Sequence, residues 1–64
     1  MTIIITIHTD NAAFEDNGLA HEIDIALGKI VRLAYDDDLP DNGENRQISD
    51  SNGNTVGNLA VFLH

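Results

Sequence analysis

The chain has 64 residues, with eleven acidic side chains against three basic ones and a formal net charge of −8. That length holds one domain. The charge excludes unaided binding to a nucleic-acid backbone, which needs Lys and Arg, and attraction to an anionic membrane surface. With no cysteine there is neither a disulfide staple nor a thiolate metal site, and a hydrophobic content of 42% is that of a folded chain rather than a disordered one.

Residues Thr2 to Thr9, TIIITIHT, are dense in β-branched side chains and predict a strand. Ile3, Ile5 and Ile7 share one face, expected to meet the core, and Ile4, Thr6 and His8 share the other. The apolar run is too short to span a bilayer and lacks the basic flank of a signal peptide. The expected compartment is therefore the cytoplasm. Residues Asp10 to Asn17 form a connection in which Phe14 is the expected anchor, with a short helical turn over Ala12 to Phe14 as the alternative.

Leu19 to Tyr35, LAHEIDIALGKIVRLAY, carries the strongest pattern in the chain. Ile23, Ala26, Leu27, Ile30, Leu33 and Ala34 recur at the spacing of one helix face. Asn17 is the expected N-cap, and Glu15, Asp16 and Glu22 lie near the positive end of the helix dipole. The other end is unusual, because Asp36, Asp37 and Asp38 follow where the dipole disfavours anions by a few tenths to about 1 kcal/mol each. Gly28 sits inside the helix, at about 1 kcal/mol relative to Ala.

Asp36 to Glu44 reads as a loop, since Pro40 cannot continue a helix and Asn42-Gly43 is a turn pair. Arg46 to Asp50 predicts a short strand, Asp50 to Asn54 (DSNGN) a hairpin turn, and Thr55 to Leu63 a closing strand. The expected fold is α+β with order β-α-β-β: one helix on a three-stranded, mainly antiparallel sheet. A right-handed crossover and the apolar LAVFL end of the last strand favour the strand order 1-3-2, with the first and second strands side by side as the rival. Leu59, Val61 and Leu63 then face the helix. Ile4, Ala60 and Phe62 lie on a face with no cover in this chain, which a homodimer or a partner protein would supply.

Residues able to carry chemistry are sparse. His8, His21 and His64 lack ligand spacing and predict no metal site. Asp50-x-Asn52-x-Asn54 has the start of a calcium loop, but its glycine falls at the wrong place and Val61 stands where a bidentate Glu is needed, so a hairpin turn is expected. Asp36-x-Asp38 fails at Pro40. No nucleophile motif or phosphate-cradling glycine loop is present. The expectation is a non-enzymatic protein without cofactor. Its informative feature is the one-signed acidic surface, whose plain alternative is a solubilising shell.

Three segments occur together: TDNAAFEDN over Thr9 to Asn17, the amphipathic helix, and DSNGNTVG over Asp50 to Gly57. They resemble a set of small, mostly uncharacterised proteins of phages and mobile elements, which carry T-D-N-A-A-F and, near the C-terminus, D-x-N-G-N-x-V-G. The shared positions are Thr9, Asp10, Asn11, Ala12, Ala13 and Phe14, then Asp50, Asn52, Gly53, Asn54, Val56 and Gly57. By size, charge and implied origin the chain is also similar to small acidic anti-CRISPR proteins, several of which are DNA mimics. The resemblance implies a phage protein acting in the cytoplasm of a host cell, and it transfers no functional residue.

The sequence and the resemblance together predict an inhibitor that sets carboxylates where a basic, nucleic-acid-binding protein, such as a CRISPR effector subunit, expects phosphates. Asp36, Asp37, Asp38, Asp41 and Glu44 are the first candidates for contact, and Glu15, Asp16, Glu22 and Asp24 the second. The alternative is an accessory or structural phage module, homodimeric through the open sheet face.

Overall fold

The computed structural model describes residues 1–63 and has the element order β1 (Thr2–Ile7), α1 (Ala12–Asn17), α2 (Leu19–Tyr35), β2 (Asn45–Ser49) and β3 (Thr55–Phe62). The sheet order is β1-β3-β2, with β3 antiparallel to both neighbours. The fold is α+β with the long helix against one face of the sheet, as the apolar patterning requires. The two hairpin strands pair around an irregularity at Ile48 and Ser49. β2 begins at Asn45 and ends at Ser49, one residue ahead of its predicted limits at each end.

The connection after β1 is a second helix. Asn11 caps α1 by accepting from the Ala13 N–H at 3.3 Å. Phe14 is buried in the core, and the helical turn extends on to Asn17. Asn17 is consequently not the N-cap of α2. Gly18 separates the helices at φ +93°, a value that favours glycine, and its carbonyl accepts from Glu22 N–H at 3.1 Å.

The core contains Phe14, Ala26, Ile30, Ile48, Val56 and Leu59, with Ile7, Ile23, Leu33 and Leu39 packed around it. The buried line of α2 runs through Glu22, Ala26 and Ile30. Leu27, predicted at the centre of the stripe, is 40% exposed, and Val31 is 52% exposed. The helix is rolled toward β2, where Lys29 Nζ donates to the Ser49 carbonyl and hydroxyl and to the Asp50 carbonyl at 2.9–3.0 Å. Leu27 and Val31 consequently lie on its other flank, toward β1. Gly28 has open space where a side chain would stand, so tolerance explains it rather than close approach. Gly57 is different: a Cβ there would run into the Thr6 carbonyl of the paired strand.

Leu59 and Val61 face the helix and are buried, whereas Leu63, beyond the strand end, is exposed. The other sheet face carries Ile4, Ala60 and Phe62 as predicted. The pairing also places Thr2, Thr6, Asn45, Gln47 and Asn58 there. Ile4 is 49% and Phe62 39% exposed.

Candidate functional site

The carboxylates divide into two groups. Of the eleven, Glu22 and Asp50 are buried and the remaining nine are exposed.

Asp50 begins the hairpin turn. Its Oδ1 accepts from the Asn52 and Asn54 N–H groups at 2.9 Å each, which shapes the DSNGN segment. Gly53 takes φ +84° in that turn. Glu22, one turn into α2, reaches the same hairpin: Oε1 accepts from Ser51 N–H at 3.0 Å and Oε2 from Asn17 Nδ2 at 3.3 Å. The Ser51 backbone bond holds the Glu22 carboxyl below its ordinary value of 4.5, and burial opposes that shift without overcoming it. Glu22 therefore braces the N-terminal end of α2 to the β2–β3 turn. The sequence reading placed it among the acids available to a partner. Its spacing from Ala26 and Ile30 (i, i+4, i+8) put it on the buried line, and that was the signal for a structural role.

The exposed group is concentrated at the opposite end of α2. The helix closes on Asp36, with Asp37 N–H donating to the Ala34 carbonyl at 3.3 Å and Asp38 N–H to the Leu33 carbonyl at 2.8 Å. This is the double bond pattern of a Schellman cap, in which the residue at the Asp37 position is usually glycine. Asp37 has φ +57°, and among the described residues it is the one non-glycine with a left-handed backbone. So the triple Asp includes a functioning helix stop, made with a residue that strains it. Pro40 and Leu39 fold back toward the core, while Asp41 and Glu44 stay exposed. Arg46 pairs with Asp38 at 3.5 Å in the one ion pair among the described residues, with both side chains substantially exposed.

The structure thus brings Asp36, Asp37, Asp38, Asp41 and Glu44 into one loop region beside β2. Glu15 and Asp16 lie on α1, and Asp24 on the outer side of α2, all exposed. Of the three cations, Lys29 is spent on the hairpin and Arg46 on Asp38.

Another feature is an open dish of about 510 Å³ beside β2 and β3, lined by His8, Asn45, Gln47, Thr55 and Asn58 among others. Its amides and hydroxyl supply hydrogen-bond groups. Among the described residues no three His, Cys, Asp or Glu side chains converge as a metal site; His64 lies outside those residues. No helix there is long and apolar enough to cross a membrane.

No family model, curated protein or solved structure matches the chain.

Proposed function

We propose that the protein is a non-enzymatic, acidic binding module that presents carboxylates to the phosphate-binding groove of a basic, nucleic-acid-binding protein. The resemblance to small phage proteins favours a host-defence target, a CRISPR effector subunit being the model case. The observation that carries this reading is the C-terminal end of α2. Three consecutive acids stand where the helix dipole opposes them, one of them in a left-handed conformation, and among the described residues a single ion pair, Arg46 with Asp38, answers the whole loop, with Arg32 the basic residue of the last helical turn. The helix stop needs one left-handed residue, which glycine supplies without strain, and it needs no run of three carboxylates. A partner rich in Lys and Arg gains both steering and contact. Asp36, Asp37, Asp38, Asp41 and Glu44 form the main surface, with Glu15, Asp16 and Asp24 as an outlying set. Glu22 serves by holding the fold.

The test is the pair Asp37→Asn and Asp38→Asn in one chain, assayed for the ability to block DNA binding by a CRISPR surveillance complex across a salt series. Asparagine keeps the shape and tolerates the left-handed conformation, so the fold should be as stable or more stable. Inhibition should weaken, and the parent's inhibition should fade as salt shortens the Debye length to about 10 Å at 0.1 M and below that at higher salt. Equal inhibition by parent and variant at every salt concentration would remove the loop from the mechanism. The competing reading, a phage accessory module dimerising through its open sheet face, draws on Ile4 and Phe62. The Asn45 and Asn58 amides on that face would need partners in such a dimer.

A further inference from the structure

We infer that the free edge of β1 is a self-association surface, on which a second copy of this chain adds its own β1 antiparallel and joins the two sheets into one of six strands.

The first support is the direction of the backbone groups. His8 N–H donates to the Val56 carbonyl at 2.7 Å, continuing the β1–β3 ladder by one step. The N–H and C=O of His8 and of every second residue before it therefore point to β3. The N–H and C=O of Ile3, Ile5 and Ile7 point to the open edge. Val61, opposite Ile3, agrees, since its N–H and C=O bond to Glu44 and Gly43 on the β2 side.

A two-fold axis through Ile5 pairs Ile5 with Ile5 of the partner subunit and Ile3 with Ile7 of the partner subunit. Every pair so formed joins residues whose groups point outward, so one strand satisfies its copy without a shift in register. The interface is isologous and closes at two chains.

The second support is what the axis brings together. In antiparallel addition the two copies keep the same sheet face on the same side, so both α2 helices lie above one continuous sheet. The flank of α2 toward β1 carries Leu27 and Val31, and the strand below it carries Ile3 and Ile5. These four side chains and Ile4 are 40–52% exposed in the single chain. A shallow apolar groove of about 280 Å³, lined by Val31, Ala34 and Tyr35, extends that flank. With the edge backbone they offer on the order of 600 Å² a side, the lower range of a specific interface.

The third support is charge. Thr2 to Ile7 contains no charged residue, in a chain with a net charge of −8. The Asp36–Glu44 loop lies by β2, across the sheet from this edge, so the largest acidic cluster stays away from the contact, and Asp24, which shares the flank of Leu27 and Val31, is the acid nearest to it. A basic partner strand would find no counter-charge on Thr2 to Ile7, whereas a second copy of the same apolar strand needs none.

The experiment uses the full chain. Sedimentation across a wide concentration range should give twice the monomer mass, and the Ile5 amide should exchange with deuterium more slowly as concentration rises. Ile5→Pro deletes an outward N–H while leaving the β3 ladder intact, and Val31→Asp sets two acids against each other across the axis. Each should return the mass to one chain while circular dichroism stays that of the folded protein. Should Ile5→Pro fail to fold, Val31→Asp alone decides. Phe62→Gln, on the opposite sheet face, should leave the dimer intact. A single-chain mass at all concentrations, a dimer that survives Val31→Asp, or one lost in Phe62→Gln would each overturn the proposal.

Discussion

The two ends of α2 use the same chemical group for opposite purposes. At the N-terminal end, Glu22 is enclosed and receives backbone and side-chain N–H groups, and Asp50 beside it receives two more. At the C-terminal end, Asp36, Asp37 and Asp38 are exposed, and what their carboxylates receive among the described residues is one ion pair at 3.5 Å, from the same Arg46 that donates to the Asp38 carbonyl. An exposed pair of that kind contributes about 0–1 kcal/mol. The difference lies in the supply of donors. A carboxylate becomes structural where a turn or a helix start leaves N–H groups without partners. At a helix C-terminus the backbone offers carbonyls instead, and an acid placed there stays available to something outside the molecule.

Substitutions at the two ends should therefore have opposite signs. Asp50→Ala removes the buried acceptor shared by the Asn52 and Asn54 N–H groups of an otherwise exposed turn, and should cost about 1–3 kcal/mol, a large share of a small domain's stability. A thermal melt within a degree or two of the parent would show that the turn holds without its carboxylate.

Acid should act through Glu22. Its folded carboxyl binds protons less readily than the unfolded one, so its contribution is full above the ordinary value of 4.5 and is lost as pH falls through the lowered folded value. The comparison that isolates the brace is parent against Glu22→Gln: the parent should be the more stable at neutral pH, and the gap should narrow below 4.5. A gap independent of pH would assign the role of Glu22 to its shape alone.

The smallest effect is expected at the other end and upward. Asp37→Gly relieves a left-handed residue at the cap and removes a charge from the negative end of the dipole, for a gain of about 1 kcal/mol. A lower melting temperature would mean that the Asp37 side chain does something for the fold beyond ending the helix.

The sequence by itself determined the strands, the long helix, the hairpin turn and the strand order. These follow from local chemistry: β-branched runs, an i, i+3, i+4 stripe, Asn-Gly turns, and a last strand apolar enough to be central. It also located the acids at the end of α2 and the uncovered face with Ile4 and Phe62.

Three things were left to the tertiary structure. Whether Asp10–Asn17 loops or coils depended on the Asn11 cap and on Phe14 finding the core. The roll of α2 depended on Lys29 reaching the Ser49–Asp50 backbone, which turned Leu27 outward and set Glu22 inward. And the division of eleven acids into two buried and nine exposed groups depended on packing at Glu22, which met the Ser51 N–H 29 residues away, whereas Asp50 is held by the Asn52 and Asn54 N–H groups of its own turn. Periodicity reports the face a residue occupies; only the packed neighbour decides whether a carboxylate there is paired.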